Sequence, residues 1–150
     1  MTPRRKGDEA ETIATIDAEC LKLWSQCVIA RDRCCRITKS EIGLTSHHIR
    51  SRGHAATRFD LENGMCIAWK WHFLQKANPE RFQDSVIDVV GVEEYERLKA
   101  RSLRPLKRNI SDMRDERERL KRTLKALLSD YGSISPLTPA DEEKIKETGI

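Results

Sequence analysis

All four histidines of this 150-residue chain, His47, His48, His54 and His72, fall between Ser46 and His72. His47 and His48 are adjacent, Asn63-Gly64 begins fifteen residues after His48, and His72 comes nine residues after Asn63. The order His-His, Asn, His suits metal-assisted hydrolysis of a phosphodiester. Such a site needs a general base, a metal ligand beside it, an Asn to hold the segment that carries the base, and a second ligand from a following helix. A neutral imidazole takes a proton from water near physiological pH. A divalent ion stabilises charge developing on the phosphodiester and its leaving oxygen. Neighbouring side chains on a strand point to opposite faces, so one histidine of the pair can face a metal while the other faces a water, provided the strand ends or twists there. Arg50, Arg52 and Arg58 follow closely and are suited to holding phosphates.

The elements that must position these residues are legible from periodicity and punctuation. Ile13, Ile16, Cys20, Leu23, Trp24, Cys27 and Val28 recur at three- and four-residue steps and predict a helix from about Thr12 to Arg31. Cys20 and Cys27 lie on that stripe and read as core. Residues 32–45 read as a loop or short hairpin, Thr45–Ile49 as a strand, 50–62 as a basic loop and Gly64–Trp69 as a second strand. A short helix over Lys70–Ala77 places His72 in its first turn, and Asn78-Pro79 ends it. Asn63 heads the second strand and is placed to brace the loop behind the histidine pair. Further helices are expected over Pro79–Val89, begun by its proline, and over Val92–Ser102, with Gly91 between them.

Leu103, Leu106, Ile110, Met113, Arg117, Leu120, Leu124 and Leu127 then step by three and four, a heptad seam interrupted by Arg117. They predict a long helix over 106–129, which either pairs with its copy in a homodimer or lies across its own domain. A short helix is expected over Pro139–Glu147, capped by Thr138. The expected class is α+β and mostly helical. The expected division is a disordered N-terminus (1–10), a main domain (11–104), a helical extension (105–131) and a tail with a short helix (132–150).

Bulk composition narrows the function. Hydrophobic residues make up 38% and charged residues 35% of the chain, and mean hydropathy is −0.65. The core is therefore small. The net charge of +4 is modest, but Arg31, Arg33, Arg36, Lys39, Arg50, Arg52 and Arg58 face only Asp32 and Glu41 over residues 31–58. This cationic excess surrounds the histidines and favours a polyanionic partner. No apolar run is long enough to span a membrane, and the N-terminal stretch lacks the apolar core of a signal peptide. A cytoplasmic location is expected. Five cysteines, at 20, 27, 34, 35 and 66, are an odd number and argue against a disulfide framework.

From Leu23 to about Pro105 the chain resembles the HNH endonucleases, of the kind common in phage and prophage genomes. The carrying residues are L-W-S-Q-C-V-I-A-R-D-R-C-C, S-H-H-I-x-S-R, H-A-A-T-R-F-D-L-E-N-G, W-H-F, N-P-E-R-F and E-E-Y-E-R-L-K-A-R. The resemblance implies a ββα-metal core that cuts or nicks DNA through the minor groove, in a bacterial or phage-infected cell. It implies His47 as a metal ligand, His48 as the general base, Asn63 as the organiser and His72 as the second ligand of one ion, Mg²⁺ or Mn²⁺. The loop bearing Arg50, Arg52, His54 and Arg58 would track the DNA backbone.

The chain departs from this pattern in two places. Relatives carry two C-x-x-C pairs for a structural zinc, whereas here Cys35 is followed by Thr38, and Ala68 and Trp71 stand at the second pair. The zinc is therefore expected to be absent, with Ile37, Trp69 and Trp71 as an apolar plug. A cluster of Cys34, Cys35, Cys66 and His54 is the alternative. Many relatives also have a further histidine where this chain has Lys76, which as a cation cannot ligate but can meet phosphate directly. The second reading is accordingly a catalytically weakened DNA-binding protein on the same fold.

Overall fold

The structure, a computed structural model, describes residues 10–130. The element order is α1 (Ile13–Asp32), β1 (Leu44–His48), a 3₁₀ turn (Leu61–Asn63), β2 (Gly64–Ala68), α2 (Lys70–Ala77), α3 (Pro79–Val90), α4 (Val92–Ser102) and α5 (Ile110–Asp130). The class is α+β and mostly helical, as expected. Residues 1–9 and the expected helix over Pro139–Glu147 lie outside the described residues.

β1 and β2 form a two-stranded antiparallel ribbon in which His47 pairs with Met65 and His48 with Gly64. Helices cover both faces. Cys66 joins Ile16, Cys20, Trp24, Val28, Phe59, Met113 and Leu120 in the cluster on the α1 and α5 side. Met65 and Ile67 join Phe82, Val86, Tyr95 and Leu98 in the cluster on the α3 and α4 side. Every residue of β2 is buried, which explains why G-M-C-I-A reads as an unbroken apolar strand.

The end of α1 closes the outer edge of this strand. Asp32 accepts from the Cys66 N–H at 2.9 Å, while Arg31 donates to the carbonyls of Leu61 and Gly64, each at 2.7 Å. The Arg36 N–H donates to the Cys66 carbonyl at 2.9 Å. An edge strand is thereby blocked from pairing with another chain. Arg31 belongs to the cationic run of the sequence, but its charge is used on backbone and on Asp32.

α1 starts one residue later than expected because Thr12 caps it. The Thr15 N–H donates to Thr12 Oγ1, and the Thr12 N–H donates to Thr15 Oγ1, the reciprocal pattern of a capping box.

The larger correction concerns the last helix. It begins at Ile110 rather than Leu106, because Asn109 and Asp112 cap it reciprocally through side chain and backbone. Leu103 and Leu106 precede it and are exposed. Its remaining seam, Ile110, Met113, Leu120, Leu124 and Leu127, packs on α1 of the same chain. The apolar stripe is therefore used internally, the second of the two arrangements expected for this helix. Arg117, which interrupts the seam, reaches Glu11 at 2.6 Å and Glu19 at 3.2 Å across the helix pair.

Candidate functional site

The two adjacent histidines point to opposite faces of the ribbon, as strand geometry requires. His47 faces the α2 and α3 side. Its ring stands edge-on to Phe82 with centroids 4.9 Å apart, and to His72 of α2 with centroids 6.3 Å apart. His48 faces α1 and stacks on Trp24, with centroids 3.7 Å apart and planes 11° from parallel. Trp24 is itself fixed by its indole N–H, which donates to the Asp60 carbonyl at 2.9 Å.

Gly64 makes this stack possible. A Cβ there would lie 2.3 Å from Val28 Cγ2 and 2.9 Å from Trp24 Cζ2. The Asn-Gly step thus combines an organiser with the one residue small enough to let α1 approach beside His48.

The hydrogen bond on His48 assigns its tautomer. Its Nε2 lies 3.0 Å from the Arg58 carbonyl, an oxygen that only accepts. Nε2 therefore carries the proton in the neutral ring, and Nδ1 keeps the lone pair. Burial pushes His48 down to about 4, opposed by that hydrogen bond and assisted by the nearby cations Arg58 and Arg52. Burial also pushes His47 down to about 3, with the His72 and His48 rings adding to the shift. His72 is lowered by burial too; Gln75 opposes the shift and Lys76 adds to it. All three rings are neutral at pH 7, the form in which an imidazole ligates a metal or accepts a proton.

Asn63 is fully buried and makes three hydrogen bonds to the intervening loop. Its Oδ1 accepts from the Arg50 N–H at 2.7 Å. Its Nδ2 donates to the carbonyls of Arg50 at 2.9 Å and Thr57 at 3.1 Å. Asn63 thus pins both ends of the loop whose next residue, Arg58, supplies the carbonyl that holds His48.

The cationic residues divide into two groups. Arg50 is tied to α4 through Ser102 Oγ at 3.1 Å and Tyr95 Oη at 3.3 Å. Arg58 forms a two-pronged pair with Asp17 of α1, at 2.9 and 2.6 Å, and donates to the Arg52 carbonyl. In the free protein both guanidiniums are taken up by protein partners and tether the loop. Arg52 and Lys76 are exposed, close enough to His48 and His72 respectively to shift their titration. The His54 N–H donates to the Ser51 carbonyl in a turn of the same loop.

His47 and His72, two neutral imidazoles, have the donor chemistry for a divalent ion. His72 Nε2 is buried and has no hydrogen-bond partner among the described residues, which is costly unless something ligates it. Two imidazoles on one ion at ~2.1 Å per bond hold ring centroids roughly 4.5–5.5 Å apart at octahedral or tetrahedral angles. The observed 6.3 Å is wider than that, so the two rings would have to close together to share an ion. Among the described residues no group of three or more His, Cys, Asp or Glu side chains is placed to hold a metal. Remaining positions would fall to water and substrate.

The same observation corrects the alternative cluster of Cys34, Cys35, Cys66 and His54, which is not assembled as a metal site. Cys35 is buried and accepts from the Thr38 N–H at 3.4 Å. Ile37 and Trp71 pack on the cluster that contains Cys35 and Ala68, as a plug would. Trp69 does not; it turns outward onto Phe73.

Sequence reasoning missed three contributors: Trp24, the Arg58 carbonyl and Asp17. Trp24 had a signal in its place on the apolar stripe of α1, but a stripe does not say which aromatic meets a histidine. A family-model scan, a search of curated proteins and a search of solved structures each give no match to this chain. Among the described residues no helix is long and apolar enough to cross a membrane.

Proposed function

We propose that this protein is a divalent-metal-dependent endonuclease of the HNH kind, hydrolysing DNA phosphodiester bonds. The observation that carries this reading is the geometry of His48. Its ring plane is set by Trp24 and its Nε2–H by the Arg58 carbonyl, so the basic Nδ1 is defined before substrate arrives. That atom takes the proton of a water whose oxygen attacks phosphorus. The bond to the 3′ oxygen breaks, the 3′ oxygen takes a proton from solvent, and the ends are 5′-phosphate and 3′-hydroxyl. His47 and His72 would hold the ion, which supplies positive charge where the phosphodiester and the leaving oxygen become negative. Asn63 keeps the loop, and with it His48, in register. Arg52 and Lys76 supply cationic charge at the edges of the site for phosphate.

Two imidazole donors suit transition ions better than Mg²⁺, which prefers oxygen. Mn²⁺ is therefore expected to support more activity than Mg²⁺. Supercoiled plasmid incubated with the protein and Mn²⁺ should pass to nicked circles, with EDTA abolishing the conversion. No conversion with any divalent ion refutes the reading.

The small donor set and Lys76 beside His72 favour one alternative, a DNA-binding protein on this fold with little or no turnover. It predicts salt-sensitive DNA binding with no metal-dependent nicking.

A further inference from the structure

α2 buries none of its residues, and two large aromatic rings, Phe73 of the helix and its N-cap Trp69, turn outward. Trp69 is 40% and Phe73 61% exposed, and their rings meet edge to face with centroids 5.2 Å apart. Lone exposed hydrophobes are ordinary, but a paired aromatic patch is not. At helical spacing Trp69, Phe73 and Lys76 share one face, with His72 on one flank and Lys70 on the other. Both lysines are exposed. His72 and Phe73 are sequence neighbours, so the patch adjoins the proposed metal ligand.

Trp69 is fixed on its inner side. Its backbone N–H donates to the Gly43 carbonyl at 2.8 Å. Gly43 has φ +63°, and a Cβ there would lie 2.4 Å from Trp69 Cδ1. The ring therefore rests against bare backbone and offers its other side to solvent. A ring held in place loses little freedom on binding, which favours affinity.

Aromatic faces beside ammonium groups match a nucleic acid with accessible bases. The rings stack on any base and the lysines meet its phosphates. A perfectly paired duplex hides its base faces and gains only the lysine contacts. We propose that the outward face of α2 is a stacking platform for an unpaired nucleobase beside the bond to be cut. Single-stranded or locally distorted DNA is then the preferred substrate. This rests on the nuclease reading above, since it takes the polyanion at that site to be DNA.

The test is fluorescence anisotropy with labelled DNA at one fixed salt concentration, in EDTA so that nothing is cut. The probes are a single strand, the same sequence as a perfect duplex, and that duplex with a one-base bulge. The parent should prefer the single strand and the bulged duplex. Phe73→Ala should weaken both by about ten-fold and leave the perfect duplex within about two-fold. Phe73→Leu, which keeps the apolar bulk without the π face, should behave like the alanine variant, and Phe73→Tyr like the parent. Phe73 is mostly exposed, so these variants should keep the parent's melting temperature. Equal affinity for all three probes, or single-strand binding untouched by Phe73→Ala, overturns the platform. Salt-sensitive duplex binding with metal-dependent nicking but no preference for open bases overturns it while the nuclease reading stands. No binding to any DNA overturns both.

Discussion

Replacing Asn63 with alanine should cost far more stability than a typical polar-to-alanine change. Asn63 is fully buried, and its side chain satisfies the Arg50 N–H and the carbonyls of Arg50 and Thr57. Alanine leaves the Arg50 N–H and carbonyl without their partner, removes one of two donors from the Thr57 carbonyl, which keeps the Asp60 N–H, and opens a small void. A buried group left unsatisfied costs about 1–3 kcal/mol. Water entering from the loop side would recover part of that, so the expected loss is about 3–5 kcal/mol. Domains of this size have roughly 5–15 kcal/mol in total, and the urea midpoint should fall by roughly 2 M. Asn63→Asp is the sharper variant. It keeps the volume and the acceptor for Arg50 N–H, but sets a carboxylate oxygen against two carbonyls, so it should be about as unstable as alanine. Urea titrations followed by tryptophan fluorescence measure both. A loss under about 1 kcal/mol for either variant would refute the claim that Asn63 holds the loop.

Gly64→Ala should destabilise by roughly 1–3 kcal/mol and lower the melting temperature, because the added methyl meets Val28 and Trp24; an unchanged Tm would show that α1 sits farther from β2. In metal-free buffer, stability should fall as pH drops from about 6.5 toward 4. The unfolded histidines protonate near 6.5, whereas folded His48 and His47 resist to about 4 and about 3. The unfolded state thus binds more protons in this window and gains population. Urea midpoints flat between pH 7 and pH 4.5 would contradict the buried neutral rings. Mn²⁺ should raise the melting temperature by mass action, and His72→Ala should abolish that rise; a rise that survives the variant would place the ion elsewhere.

The sequence carried most of the elements and the order of the site residues, because both rest on local chemistry. Period-two burial set His47 and His48 on opposite faces, Asn78-Pro79 separated α2 from α3, and Asn63-Gly64 stood where a buried amide and a missing Cβ are both used. What it did not carry was long-range pairing. The seam of α5 was as compatible with a second copy as with α1, and only the packing of Met113 and Leu120 against α1 decides between them. Arg117 looked like a flaw in that seam until Glu11 and Glu19 were placed opposite it. Arg58 read as a phosphate ligand because sequence shows its charge but not Asp17, forty-one residues away. The start of α5 is not legible from apolar spacing, which continues through Leu106, because the Asn109–Asp112 cap sets the boundary.

The central claim is that His48 is the base of a hydrolytic centre. Its most direct test is single-turnover nicking of plasmid in Mn²⁺ by the parent and by His48→Ala, with DNA affinity measured alongside in EDTA. The account predicts that the variant binds DNA as the parent does and nicks at least ~100-fold more slowly, the scale of a lost general base. A variant that nicks as fast as the parent would contradict it.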